Sequence, residues 1–303
     1  MATAEGAPIG CPATKEKRMS IVIAGATGQL GRLVVEELLS RGVPAAQIVA
    51  AGRSAVQLAE LAGHGVKTAA MDYNDPASVD SALTEGDTLL LISGNDIQSR
   101  AAQHENVIDA AARAKVARIL YTSVLAADTT PVILAPDHVK TEEYIRASGL
   151  PFTFLRNGWY TENYADALLA ARETGTLLGS AGDGRVASAT RADYAAAIAA
   201  VLTTTGHDNS TYELSGDHAW TYEELALAFS TVLGRPVTYR SVSAAEHVST
   251  LEAAGLDPAT AGFLAALDGN IREDALALAT GDLARLAGRP TTPLVDGLRP
   301  LAG

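Results

Sequence analysis

The chain holds a single cysteine, Cys11, among 303 residues. One thiol closes no internal disulfide and supplies no cysteine-based zinc site, so Cys11 reads as a spectator and no metal site is expected. Basic residues are the minority, 23 against 35 acidic ones, for a formal net charge of −12. That balance argues against a nucleic-acid partner or an anionic membrane surface. No apolar run approaches the ~20 residues a membrane helix needs, and no signal-peptide core precedes residue 19. A cytoplasmic protein with no membrane partner is expected. Repeats of ~20–50 residues are also missing. Residues 1–18, "MATAEGAPIGCPATKEKR", show no usable periodicity and read as a mobile tail; Met19 stands where a shorter chain could begin.

What is present suits a large α/β protein. Hydrophobic residues make up 48% of the chain, enough for a sizeable core. "IVIAGATGQLGRLV" (21–34) puts a β-branched apolar run before Gly25, Gly28 and Gly31, then an apolar helical pattern. Glycine tolerates φ > 0 and lets another atom approach the backbone closely. A helix start offers unpaired N–H groups and a favourable dipole to an anion. Strand, glycine turn and helix together form the pyrophosphate site of a doubly wound parallel sheet. The spacing is Gly-x-x-Gly-x-x-Gly, which departs from the usual fingerprint. A tight turn with close helix–strand packing is the competing explanation.

From Ser20 strands and helices alternate. Strands are expected at 21–24, 47–53, 66–73, 88–93, 117–123 and 151–157, with helices between them. Apolar strands without alternation suit a parallel sheet covered on both faces. Residues 19–157 are therefore expected to form a Rossmann-like NADP(H)-binding domain, to which later segments return. Residues 158–303 are expected to form mainly a smaller α+β substrate lobe over the crevice.

The strand ends trace a cofactor path. After strand two comes "AAGRS", with Arg53 and no carboxylate nearby. An arginine suits a 2′-phosphate, where an acidic residue would suit a free ribose hydroxyl, so NADPH is the expected cofactor. Arg32 adds a second positive charge. Asp72 and Tyr73 close strand three, where an adenine edge would lie; Asp72 reads equally well as a turn residue. Ser93, Gly94 and Asn95 close strand four, near a ribose.

"GATGQLG", "LLLIS", "YTS", "TFLRNGWYTENY", "GDGRVASATRADYA" and "AGRPTTPL" resemble the NmrA-like atypical short-chain dehydrogenases. The resemblance is closest to the type 2 NAD(P)H:quinone oxidoreductases and the triphenylmethane reductases, and it covers Ser20 to about Leu298. It implies an NADPH-binding Rossmann-like domain, a small C-terminal substrate lobe, neither metal nor flavin, and hydride transfer to quinones or cationic dyes. It also implies that Gly25, Thr27, Gly28, Gln29, Leu30 and Gly31 surround the pyrophosphate. Arg53 would meet the 2′-phosphate. Ser93–Asn95 and Asn157, Gly158, Trp159 and Tyr160 would approach ribose and nicotinamide.

Orthodox short-chain dehydrogenases use a Tyr-x-x-x-Lys pair. Lys140 sits in the corresponding region and is expected to touch the ribose, but four residues earlier stands Pro136, which has no proton to give. A quinone is a strong hydride acceptor that needs positioning more than acid catalysis. His138 and Tyr121 remain as candidate catalytic groups. Trp159, Tyr160 and Tyr164 offer rings to stack on a flat acceptor, or core. Thr190 and Asp193 in "TRADY" read as a helix cap. The expected function is NADPH-dependent reduction of a small quinone-like molecule. Two alternatives stand beside it: reduction of a carbonyl or imine in a biosynthetic pathway, and non-catalytic NADP(H) sensing. Oligomeric state is open, with a homodimer among the options.

Overall fold

The computed structural model describes residues 19–303; the expected tail at 1–18 and Cys11 lie outside the described residues. Six strands and five helices alternate as the apolar runs dictate. The strands are β1 (Ile21–Ala24), β2 (Ile48–Gly52), β3 (Lys67–Ala70), β4 (Thr88–Leu91), β5 (Arg118–Val124) and β6 (Phe152–Asn157). The helices are α1 (Gln29–Ser40), α2 (Ala55–Ala62), α3 (Pro76–Ala82), α4 (Arg100–Ala114) and α5 (Ala135–Ala147). Local chemistry sets several ends. Ser54 accepts a hydrogen bond from the Gln57 N–H at the start of α2, and Asp75 caps α3 with Pro76 in its first turn. Lys115, at φ 56°, closes α4 in the left-handed region.

All strands of the central sheet run parallel, in the order β3-β2-β1-β4-β5-β6 and then β9 (Ser210–Leu214). The order reverses between β1 and β4, which opens a crevice beyond the carboxyl ends of the strands. Apolar residues on one face pack under α1 and α7 (Arg191–Thr203), and those on the other under α3, α4 and α5. β3 is shorter than the expected 66–73. It lies at the sheet edge, its residues are mostly exposed, and Asp72 ends it by accepting from the Asn74 N–H in a turn.

α7 and the "TYELSG" strand are among the later segments that return to the first domain. β9 pairs with β6 from Thr153↔Ser210 to Asn157↔Leu214, and α7 shares the core of α1. Thr190 and Asp193 form a capping box at the start of α7. The fully buried Asp193 carboxylate also takes the Arg289 guanidinium at 2.6 Å and the Thr292 hydroxyl at 3.0 Å. "AGRPTTPL" thus anchors the chain end to the sheet.

A second hydrophobic core gathers the remaining elements. They are α6 (Ala165–Thr174), β7 (Thr176–Gly179), β8 (Arg185–Val186), β10 (Trp220–Thr221), α8 (Tyr222–Leu233), β11 (Thr238–Ser241), α9 (Ala244–Ala253), α10 (Pro258–Arg272), α11 (Asp282–Ala287) and α12 (Leu294–Leu298). β7 pairs with β11 and β8 with β10 in two small sheets. Two elements stand apart from it: α9 is tied in through buried His247, which meets Ser180 and Asp268, and Leu283 of α11 joins the core under α7.

Candidate active site

Each glycine of the first turn has its own physical reason. Gly25 sits at φ +86°, where a side chain is strained. A Cβ on Gly31 would come within 2.3 Å of the Gly25 carbonyl oxygen, so Gly31 lets α1 pack on β1. Gly28 shows neither constraint. Its φ is −81°, it is exposed, and a Cβ there would meet only the Gly25 oxygen, at 3.3 Å. Packing therefore explains Gly31 and leaves Gly28 unexplained. Gly28 is the N-cap of α1 and makes no side-chain cap, which leaves the first N–H groups of α1 facing the crevice. Thr27 and Gln29 flank it, while Leu30 is buried under α1.

One neighbour of this turn escaped the sequence reading. A Cβ on Gly52 would come within 2.6 Å of Thr27 Oγ1, so Gly52 makes room for the turn at the end of β2. Its signal was present in "AAGRS", immediately before Arg53. Arg53 is exposed and makes no hydrogen bond or ion pair among the described residues. Arg32 does not supply the expected second charge, because its guanidinium pairs with Glu60. Tyr73 donates to the Ile92 carbonyl at 3.1 Å. Burial pushes its phenol above the ordinary range, against a smaller lowering from Arg53. Asp72 lies in the turn described above.

The loop after β4 is held by side chains. Ser93 N–H donates to Thr122 Oγ1 at 2.9 Å and Gly94 N–H to His104 Nε2 at 3.1 Å. Arg100 Nε donates to the Gly94 carbonyl at 2.8 Å. These bonds determine the His104 tautomer. Nε2 accepts, and Thr141 already donates its hydroxyl proton to the Asp137 carbonyl, so His104 Nδ1–H donates to Thr141 Oγ1 at 2.9 Å. Burial, helped by the Arg100 charge, lowers the His104 pKa to about 3 and keeps it neutral. Asn95, beyond these bonds, is exposed.

β6 ends in Asn157, whose Nδ2 donates to the Tyr160 hydroxyl at 3.1 Å. Asn157 Oδ1 is buried with no partner among the described residues. Gly158 N–H donates to the Leu214 carbonyl at 2.7 Å, seating this turn on β9. The Tyr160 ring lies under the Arg191 guanidinium, 4.4 Å from its carbon, and edge-on to Tyr194. Trp159 and Gln29 line a cleft of about 450 Å³ together with Glu162, Arg191, Phe263 and Leu264. Phe263 and Leu264 belong to α10. Sequence reasoning missed them, because an apolar pair on a helix carries no sign of which cavity it closes.

The fold separates the remaining candidates from this cleft. Lys140 is exposed and lines a shallow recess between α4 and α5 with Ala101, Glu105 and Tyr144. His138 and Thr141 turn inward on the same helix, and Lys140, ~200° around the helix axis from His138, turns outward. The expected ribose contact from Lys140 is thus not supported by its position. Tyr121 is fully buried on β5, and its hydroxyl lies 2.7 Å from His138 Nδ1. Burial, with the nearby Arg100 and His104, lowers the His138 pKa to about 3. Burial also raises the Tyr121 phenol beyond the ordinary range. Tyr164 packs edge-on against Trp220 and Tyr222 in the second core, so it is core and not a stacking ring.

The NmrA-like family model matches residues 17–262. The chain belongs to the NmrA-like family. Among NmrA-like relatives, it is 46% identical to quinone oxidoreductase 2 of Escherichia coli over 278 residues, 92% of this chain and 97% of that one. The crystal structure of the NADPH-dependent quinone oxidoreductase of Escherichia coli complexed with NADPH superposes with a TM-score of 0.89 at 45% identity. It covers 93% of this chain and 100% of that one. The Citrobacter sp. triphenylmethane reductase complexed with NADP(H) gives a TM-score of 0.89 at 39% identity, over 94% and 100% of the two chains.

Proposed function

We propose that this NmrA-like protein is an NADPH-dependent reductase of quinones and similar flat electrophiles. The carrying observation is Gly28, open at a helix start whose packing does not require a glycine, beside a cleft that Gln29 and Trp159 line. The likeness to a quinone oxidoreductase over nearly the full length of both chains supports the same reading. Residues 19–157 with α7 and β9 form the cofactor domain, and the elements of the second core form the acceptor lobe. NADPH, when bound, supplies a hydride from its nicotinamide. The first N–H groups of α1 hold the pyrophosphate, and the dipole of α1 adds to their pull. Arg53 holds the 2′-phosphate. The His104, Thr122 and Arg100 bonds keep the Ser93–Gly94 loop in one shape beside the ribose. Trp159, Phe263 and Leu264 give the acceptor apolar walls and exclude water. A cytoplasmic location fits a chain with one cysteine; among the described residues no helix is long and apolar enough to cross a membrane. A homodimer remains the assembly to test.

Cofactor preference tests the role of Arg53. NADPH is expected to bind more tightly than NADH, and Arg53→Ala to narrow the gap. A charge-assisted hydrogen bond to phosphate is worth about 1.5–3 kcal/mol, roughly ten- to a hundredfold. Calorimetric titration with both cofactors checks this, and equal dissociation constants in the unmutated protein would refute the assignment.

Acid catalysis by the protein is not expected. His138 titrates far below neutrality and Tyr121 above the ordinary range, so the pair keeps its protons unchanged between about pH 6 and 9. The rate of hydride transfer to a benzoquinone should therefore be flat across that window. Tyr121→Phe and His138→Phe should each cost less than about tenfold, against the ~10²–10⁴-fold typical of a lost general acid. Single-turnover rates at saturating NADPH make the comparison. A thousandfold loss with cofactor affinity intact would favour the carbonyl-reductase alternative.

A further inference from the structure

One buried polar cluster in the second core takes no part in the site described above. Asp268 of α10, 5% exposed, accepts from the Ser180 N–H at 2.6 Å and from the Tyr222 hydroxyl at 2.9 Å. Burial holds the Tyr222 phenol well above its ordinary pKa, so it keeps its proton and donates. His247 of α9 completes the cluster. Its Nδ1 lies 3.2 Å from Asp268 Oδ2 and 3.1 Å from Ser180 Oγ. A carboxylate only accepts, so Nδ1 carries the proton and donates to it. A Cβ on Gly179 would come within 3.1 Å of the same carboxylate oxygen and 3.0 Å of the Tyr222 ring, so Gly179 leaves room for the cluster.

The cluster stands where it can govern the cleft. Leu264, Leu267 and Asp268 share one face of α10, at the i, i+3 and i+4 spacing. Leu264 and Leu267, with Phe263, line the cleft. Asp268 lies one turn along from Leu264, about 6 Å. The helices above it are thinly anchored. From 243 to 264 only His247 and Ala261 are buried, and in α9 His247 alone. A segment with so little buried surface opens locally at low cost. Packing by itself does not call for a buried carboxylate here, because well-packed apolar residues hold helices about as firmly. A polar cluster adds one defined geometry, since its donors reach Asp268 from the end of β7, the start of α8 and the middle of α9.

We propose that His247 is a positioning residue for the acceptor. By tying α9 to Asp268 it holds the outer α9–α10 pair down, and so keeps Phe263 and Leu264 in place as a wall of the cleft. An acceptor then meets a preformed wall and does not bear the cost of ordering it. His247 touches neither the glycine turn nor the residues around the nicotinamide. The proposal rests on the quinone-reductase reading above.

The test is the split between KM and kcat for a benzoquinone at saturating NADPH. His247→Ala should raise KM about fivefold or more and leave kcat within about twofold of native. NADPH affinity, measured calorimetrically, should not change. His247→Asn, whose amide nitrogen reaches the place of Nδ1, should return KM to within about twofold of native. Amide hydrogen exchange over 244–264 should quicken in His247→Ala and return towards native in His247→Asn. If His247→Ala does not fold, His247→Phe takes its place; it keeps a ring and removes the donor, and the same rise in KM is expected. An unchanged KM overturns the proposal, as does a KM that His247→Asn fails to restore or a loss confined to kcat. Native protein that reduces no quinone would refute the reductase reading and this proposal with it, a result distinct from an active enzyme whose KM does not respond.

Discussion

Gly28→Val is expected to fold normally and to lose NADPH binding. A Cβ at this position clears everything but the Gly25 oxygen at 3.3 Å, and the backbone at φ −81°, ψ 169° is open to any residue. Valine is a poorer N-cap than glycine, at a cost of roughly 1 kcal/mol, too little to unfold the chain. Its two methyl groups would instead fill the space over the first N–H groups of α1, where an anion must sit. Gly31 behaves differently. Gly31→Val should destabilise the fold itself, since its Cβ would overlap the Gly25 carbonyl and the Ala26 backbone, 2.3 and 2.6 Å away. Calorimetry with NADPH, paired with circular dichroism, separates the two outcomes. Unchanged affinity in a folded Gly28→Val protein would mean that the turn serves packing alone.

Arg156→Ala is expected to be among the most destabilising single changes in the chain. Arg156 is 5% exposed, and its guanidinium meets both oxygens of Glu142 at 2.9 and 2.8 Å, Glu213 at 2.8 Å and Asp128 at 3.0 Å. Burial alone would lower its pKa; hydrogen bonds and charge from Glu142 and Glu213 outweigh that and raise it. Glu142, 1% exposed, also takes the Ser123 hydroxyl at 2.7 Å. Glu213 accepts from the Ala126 N–H at 2.7 Å, so the same cluster ties the loop after β5 to the sheet. Removing the arginine leaves the buried Glu142 carboxylate with the Ser123 hydroxyl and, as its one remaining cation, the half-exposed Arg146 at 3.1 Å. Breaking a buried pair in this way costs about 3–5 kcal/mol. Arg146→Ala, at the exposed side of the same carboxylate, should cost less than about 1 kcal/mol. Urea unfolding of both variants gives the comparison, and near-equal costs would contradict it.

The first six strands and their helices could be read from composition and period, because each is a local pattern. Where the chain returns could not. "TYELSG" and "TRADYAAAIAAVL" look the same whether they join the large sheet or a small lobe; only the pairing of Ser210 with Thr153, 57 residues earlier, decides it. The glycine turn was legible as a motif, but not which glycine serves packing and which leaves space, since that depends on atoms of β1 and α1 seen together. Lys140 was placed by analogy with a Tyr-x-x-x-Lys pair, and its direction follows from the inward faces of His138 and Thr141 on α5. Tyr164 and Trp159 are both aromatic residues of one motif, yet Tyr164 is buried in the second core while Trp159 only packs against that core and also lines the cleft. Phe263 and Leu264 reach that cleft only because α10 folds back on it.

The most direct test of the account is a single turnover. Protein saturated with NADPH is mixed with a substoichiometric benzoquinone, and nicotinamide absorbance and hydroquinone are followed together, with protein-free NADPH as the control. The account predicts one nicotinamide oxidised and one hydroquinone formed per quinone, far faster than in the control and at a rate that is flat between about pH 6 and 9. Bound NADPH that is oxidised no faster than in the control would contradict it and leave cofactor sensing as the function.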